Sequence, residues 1–325
     1  MSPVTRSSAR LVTALATTLV VAGGVTLSAT TSAAADPADD LTGSLTALPP
    51  GVLTAVGSLG SLIPGTPNEP TEPVGTPEAP VLPSVANSRD MAGPGYASSH
   101  GIGRFIRGFF YRSGDFGALS PADKAKMNDL GVYTIYDLRT PTEVSAAPDV
   151  VPNATDRVSI PIGVGDLTGV AETLTTPEQA RAYMQDMYRK FVTDPGATAG
   201  FGQLLNDTSS RRSIVHCTNG KDRTGWAAAL VQSIAGVSRA TIEQDYLLSD
   251  DYLEADIEDQ LAEITATQGA QAAAVAEQLL RADPSYIAAA FDAVEQHYGT
   301  IANYIRDGLQ VTETNEDLIR LNATE

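Results

Sequence analysis

The only cysteine of this chain is Cys217, and an arginine, Arg223, stands six positions after it. Between them run Thr218, Asn219, Gly220, Lys221 and Asp222, with His216 just before and Thr224 just after. Residues 213–216 read as a short buried strand, and residues 227–234, stopped by Gly236, as a buried helix. A tight loop that leaves a strand and enters a helix aims successive backbone N–H groups, and the positive end of the helix dipole, into one concavity. Such a concavity binds an anion, and it also favours a thiolate. A free thiol ionises near a pH of about 8.5, whereas thiols at helix N-termini beside cations do so at roughly 3.5 to 7.5. Cys217 is therefore expected to act as an ionised nucleophile. Arg223 can fork two N–H bonds onto the oxygens of a phosphoryl group and hold phosphorus in line with the sulfur. Gly220 supplies the backbone freedom and close approach that a side chain would deny.

His216-Cys217, five residues, then Arg223-Thr224-Gly225 resembles the signature of the cysteine-dependent protein tyrosine phosphatases. With Gly220-Lys221-Asp222 included, the string resembles the exported bacterial branch of that superfamily, which has mycobacterial members and contains both tyrosine and lipid phosphatases. Asn87-Ser88-Arg89-Asp90, Arg112-Ser113-Gly114, Asp137-Leu138-Arg139 and Asp245-Tyr246-Leu247-Leu248 extend the likeness more loosely, over roughly residues 87–321. The resemblance implies hydrolysis of phosphomonoesters through a cysteinyl-phosphate, on a phosphorylated protein or a phosphoinositide, with no cofactor and no metal. Within it the substrate-binding residues are His216, Thr218, Asn219, Gly220, Lys221, Asp222, Arg223 and Thr224, and Arg112 is a candidate neighbour. Asp222 is the first candidate for general acid, because the branch carries Asp between Lys and Arg; Asp137, at a strand end beside the loop, is the second. His216 is expected to orient the loop and tune the thiolate. Lys221 either strengthens phosphate binding or widens the substrate range to inositol lipids. Residues 253–282 correspond to a helical lid over the site.

Other readings carry less. A non-catalytic phosphate-binding module has no need of Cys217. A nucleotide-binding P-loop requires Lys followed directly by Ser or Thr, whereas Asp222 follows Lys221. A sulfur transferase does not need the Arg-Thr-Gly ending. For Asp137 and Arg139, a capping residue and a surface ion pair of little energetic value is the plain alternative.

The elements that must position these residues are legible from periodicity and punctuation. Ser120-Pro121-Ala122-Asp123 and Thr140-Pro141-Thr142-Glu143 are helix starts, with a hydroxyl cap, proline in the first turn and an acid three residues on. Residues 132–136 form a β-rich central strand that delivers Asp137 at its C-terminal end, and 158–162 form another that leaves at Pro161. Residues 176–192 are an amphipathic helix with Tyr183, Met187, Tyr188 and Phe191 as its core stripe, and a second helix runs to Leu205. After Gly236 come helices at 241–248, 251–265, 271–281 and 284–298. The fold class is α/β, a central mostly parallel sheet flanked by helices, with a helical C-terminal part. One folded domain is expected over residues 86–325.

A chain of 325 residues, 42% of them hydrophobic, can bury a full core. Its formal charge of −18 disfavours nucleic acid and anionic lipid surfaces as partners. Cations nevertheless gather locally, at Arg211, Arg212, Lys221 and Arg223. Residues 1–35 read as an export signal: Arg6 and Arg10, an apolar stretch at 11–29, then Ala33-Ala34-Ala35 as a cleavage site. A retained anchor is the alternative, weakened by the Thr, Ala and Gly content of that stretch. The expected product is secreted, extracellular or cell-wall associated, with no stable membrane anchor. Residues 36–85, rich in Pro, Gly and Thr, are expected to be a disordered linker. A single cysteine excludes an intramolecular disulfide.

Overall fold

Three strand ends arrive at one level and present the site. In the computed structural model, which describes residues 77–324 apart from 209 and 211, all described residues fall within one compact unit. The expected export signal, most of the expected linker and Arg211 lie outside the described residues.

The elements follow in order: β1 Arg89–Asp90, β2 Phe110–Ser113, α1 Pro121–Asp129, β3 Thr134–Asp137, α2 Pro141–Ala146, β4 Asp156–Ser159, α3 Pro177–Thr193, α4 Pro195–Thr208, β5 Ser213–His216, α5 Arg223–Ile234, α6 Arg239–Gln268, α7 Ala270–Leu280, α8 Pro284–Tyr298 and, after short helical turns at 301–308, α9 Glu313–Thr324. The sheet order is β1-β2-β5-β3-β4, parallel throughout except for the short edge strand β1. Strand β5 is thus central, and in register Ser113 of β2 and Asp137 of β3 flank its last residue, His216. Ligands of open α/β sheets bind outside the carboxyl ends of the strands, where the chains leaving Ser113, Asp137 and His216 meet.

Alternation along the strands divides the core between the two faces of the sheet. Tyr111, Ile135 and Ile214 point to one side, where they pack with Phe116, Leu119, Met127 and Val132 around α1. Phe110, Tyr136 and Val215 point to the other, into the larger core with Tyr188, Phe191, Trp226 and Tyr246. Helix α5 is buried almost all round, and its Ala227-Ala228-Ala229 run lets it lie close against its neighbours.

The caps form as their sequences dictate. Ser120 accepts from the Asp123 amide, Thr176 from that of Gln179, and Thr140 closes a reciprocal capping box with Glu143. Two boundaries differ from expectation. Helix α6 runs unbroken through Ser249 and Asp251, because Ser249 is buried and takes a bond from Arg89 Nη2 at 3.3 Å instead of capping a new helix. At the other end, Leu82 and Val85, within the expected linker, are buried in the smaller core, and the Val81 amide bonds the Ser88 carbonyl. Among the described residues no helix is long and apolar enough to cross a membrane.

Leu82→Ala should therefore cost about 2–5 kcal/mol in denaturant unfolding, the range for emptying a packed leucine site. A residue of a disordered linker would leave the midpoint unchanged.

Candidate active site

The loop from Cys217 to Asp222 is held from behind by its carbonyl groups. The Thr218 carbonyl accepts the Asp115 amide at 3.0 Å, the Asn219 carbonyl accepts Asn87 Nδ2 at 3.1 Å, and the Gly220 carbonyl accepts Arg112 Nη2 at 2.9 Å. The Cys217 carbonyl accepts from His216 Nδ1 at 3.2 Å. In a trans peptide the N–H points opposite to the C=O. The amides of residues 218–221 are therefore turned to the opposite side, where no backbone acceptor is bonded to them among the described residues. Such a nest of inward amides binds anions. Gly220 is required by two constraints at once. Its φ is +68°, and an added Cβ would stand 2.4 Å from the carbonyl of Ser113, where β2 ends.

Behind this layer stands a buried charge network. Asp245 of α6, wholly buried, accepts Arg112 Nη1 at 3.0 Å, Arg89 Nε at 3.4 Å and the Tyr96 hydroxyl at 2.9 Å. Arg89 also bonds Asn87 Oδ1, so the residue that holds Asn219 is itself held. Burial, and next the charge of Arg89, lower the Arg112 pKa to about 10, which leaves it a cation at neutral pH. Arg112 and Arg223 both lie within electrostatic reach of Cys217.

Arg223 opens helix α5 and is 2% exposed. Its guanidinium is forked by Glu143 of α2, Nη1 to Oε2 at 2.7 Å and Nη2 to Oε1 at 2.5 Å. Glu143 also accepts the Thr218 hydroxyl at 2.7 Å and, through the capping box, the Thr140 amide at 2.9 Å. Burial pushes its carboxyl up, but bonds from Arg223, Thr140 and Thr218 outweigh this and hold it below the ordinary glutamate range. In the sequence Glu143 stands only as a helix-start residue. Its position as the third residue after a capping threonine was visible; its partner, 80 residues away, was not.

The remaining candidates divide. Lys221 does not direct its ammonium at the inner side of the loop: Nζ is buried and donates to the carbonyls of Leu279 and Arg281, both at 2.9 Å, where α7 ends. Asp222 stands at the N-cap position of α5 without a side-chain capping bond and accepts the Tyr188 hydroxyl at 2.9 Å. Thr224 is buried with its hydroxyl unpartnered among the described residues, and Asn219 contributes its backbone. Asp137 and His216 lie together behind the strand ends. Asp137 takes a bidentate fork from Arg139 and a contact from Arg157 at 3.3 Å, while Asp149 accepts the same Arg139 Nη2 at 2.6 Å. Burial raises the Asp137 carboxyl, but Arg139 and His216 more than offset this, so it stays ionised. Burial holds His216 below its usual range despite those two carboxylates, which makes it neutral near pH 7. Asp137, Asp149 and His216 have ligand atoms close enough to hold a metal, but the guanidinium of Arg139 already bonds both carboxylates.

Cys217 is 3% exposed. Residues 253–282 span the outer half of α6 and all of α7, a helical hairpin with its own small core of Leu253, Ile257, Ile264, Ala276 and Leu280, against which Ala86 packs. A cleft of about 440 Å³ is lined by Gly165, Asp166, Tyr183 and Lys190 among others. Gly165 in its wall lies where an added Cβ would be 3.0 Å from Arg223 Cγ, but Cys217 is not among its lining residues.

A strand, an amide nest opened by cysteine and closed by arginine, and a helix, set at the carboxyl ends of a mostly parallel sheet, define a cysteine-type phosphatase scaffold. The chain belongs to the tyrosine phosphatase family, whose profile matches residues 80–325. It is 31% identical over 248 residues to a Cupriavidus necator protein bearing a tyrosine-protein phosphatase name, covering 72% of this chain and 89% of that one. It is 28% identical over 261 residues to the triple specificity protein phosphatase PtpB of Mycobacterium tuberculosis, covering 70% and 92%. A tyrosine-protein phosphatase of Nostoc commune is 31% identical over 153 residues, covering 45% and 49%. The chain is an enzyme of this class, a hydrolase of the protein tyrosine phosphatase type.

Glu143→Gln tests the fork on Arg223. A depressed folded carboxyl stabilises the protein fully above its unfolded value of about 4.3 and progressively less as pH falls through the lower folded value. Thermal melts between pH 3 and 6, a window set by roughly that value, should show acid destabilisation that is smaller in the variant. Phosphatase turnover should fall by about 10-fold or more as Arg223 loses its alignment.

Proposed function

We propose that this protein is an exported phosphatase that hydrolyses phosphomonoesters, phosphotyrosine first, through a cysteinyl-phosphate. The observation that carries this reading is the row of outward-held carbonyls at Cys217, Thr218, Asn219 and Gly220, with Arg223 at the far end of the same loop. The equatorial oxygens of a phosphoryl group take the inward amides and the Arg223 fork. The Cys217 sulfur attacks phosphorus as the P–O bond to the leaving group breaks, and Asp222 gives that oxygen its proton. Water then attacks phosphorus, returns a proton to Asp222 and releases the thiolate. A phosphate-binding module without chemistry would explain the amides but not a cysteine at their centre.

Phosphoserine, phosphothreonine and phosphoinositides belong to the proposed range, since a relative is named for triple specificity. Lys221 can serve an inositol headgroup only when its ammonium leaves the carbonyls at the end of α7. The hairpin at 253–282 is accordingly proposed as a lid, which agrees with the burial of Cys217. Export rests on residues 1–35 alone.

Phosphate release from p-nitrophenyl phosphate should proceed in excess chelator and fall by more than about 10⁴-fold in Cys217→Ser. Acid quenching of wild type with labelled substrate should trap a phosphoenzyme. Release that survived the serine variant would overturn the mechanism. For the lid, Arg281 ties α7 to Glu254 and Glu258 of α6. Arg281→Ala should speed alkylation of Cys217 by a bulky maleimide by about 3-fold or more, with little change for iodoacetamide, if the exposed clasp holds the closed state.

A further inference from the structure

Asp222 is held on one side only. Its Oδ1 accepts the Tyr188 hydroxyl at 2.9 Å and lies 3.3 Å from Lys221 Nζ, while Oδ2 has no hydrogen-bond partner among the described residues. The Tyr188 oxygen is in turn 2.9 Å from the Tyr246 hydroxyl. Tyr188 has one proton and two acceptors within reach; the Asp222 carboxylate, the stronger of the two, takes it, and the Tyr246 oxygen stands beside that donor. Burial, and next the charge of Asp222, push both phenols well above their usual range, so both stay protonated across the working pH.

Neither tyrosine belongs to the loop. Tyr188 comes from α3 and Tyr246 from α6, and their rings meet edge to face at 5.9 Å, with Tyr286 of α8 6.0 Å from Tyr188. The groups facing Asp222 are Lys221 from the loop, Tyr188, Tyr246 and Tyr286. Three packed aromatic rings from three helices fix the donor to Oδ1 with little freedom.

We infer that the Tyr246–Tyr188 pair is the positioning device of the general acid. By occupying Oδ1 it makes Oδ2 the oxygen that carries the transferable proton and keeps the carboxyl from rotating. This rests on the reading of Asp222 as the acid. In the first half-reaction the S–P bond forms, the P–O bond to the leaving group breaks, and the proton on Oδ2 passes to the leaving oxygen. In the second, the attacking water gives its proton to Oδ2 as its oxygen bonds phosphorus and the S–P bond breaks, so the acid is restored.

A positioned acid matters in proportion to how badly the leaving group needs a proton, which separates this role from a structural one. In Tyr188→Phe the ring packing persists and only the hydroxyl goes. Its kcat/KM, which reports the first half-reaction alone, should fall about 10-fold on phenyl phosphate and by less than about 2-fold on 2,4-dinitrophenyl phosphate, whose leaving group departs unprotonated. Asp222→Asn should show the same selectivity more strongly, and the double variant should lose nothing beyond Asp222→Asn. Equal slowing of both substrates by Tyr188→Phe, or none, while Asp222→Asn is selective, overturns the inference and leaves the acid intact. If Asp222→Asn is itself unselective, the acid assignment falls and this inference with it. Should Tyr188→Phe melt early, Tyr246→Phe decides by the same two substrates, selective loss supporting the device and uniform loss or none ending it.

Discussion

The structure depends on where four consecutive carbonyl groups point. A loop of bare peptide could present either edge to an incoming anion, and carbonyl oxygens would repel it. Here an imidazole, a main-chain amide, a carboxamide and a guanidinium each take one carbonyl from outside. The opposite edge, all N–H, is left facing inward. The N–H edge of the loop is therefore set by donors bonded to its other side.

Those donors are in turn set by one carboxylate. Asp245 is completely buried, and a charge so placed is tolerated only when its oxygens are satisfied by good partners. Arg89, Arg112 and Tyr96 supply them, and through Arg112 and the Arg89–Asn87 contact the carboxylate fixes two of the four carbonyls. The next residue, Tyr246, reaches Asp222 through Tyr188. Adjacent residues of α6 thus act on the loop through separate partners, Asp245 through Arg112 and Asn87 and Tyr246 through Tyr188, and the same helix continues outward to Gln268 and the hairpin. Lys221 closes the circuit by bonding carbonyls at the end of α7. Any displacement of the hairpin must strain or release that bond, so the loop and the hairpin are mechanically linked.

What the sequence disclosed was whatever is local in the chain. The strand–loop–helix around Cys217, the caps at Ser120, Thr140 and Thr176, and the glycine at 220 each depend on residues within a few positions of one another. The parallel sheet followed from strands alternating with helices. What it concealed was partnership at long range. Glu143 looked like a capping residue and is one, yet it also grips Arg223; Tyr188 looked like core and is, yet its hydroxyl meets Asp222. Lys221 was grouped with the phosphate ligands because it sits among them in sequence, but a long flexible side chain can leave its neighbours, and this one does. The gap between the expected helices at 241–248 and 251–265 is closed in α6, where Ser249 is satisfied by the buried Arg89, 160 positions away.

The choice between two aspartates as proton donor turns on the same distinction between holding and being held. Asp137 is burdened by burial, which alone would favour its protonated form, but it accepts a two-pronged fork from Arg139 and a second guanidinium from Arg157. A carboxylate so engaged has no proton to offer near neutral pH, and both its oxygens are committed. It serves instead, with Asp149, to balance Arg139 and Arg157 beneath the strand ends. Asp222 is committed through one oxygen only, and it stands in the loop itself, five residues from the sulfur. Proton transfer requires an acid whose second oxygen is free to meet the leaving group, and of the two carboxylates only Asp222 keeps one.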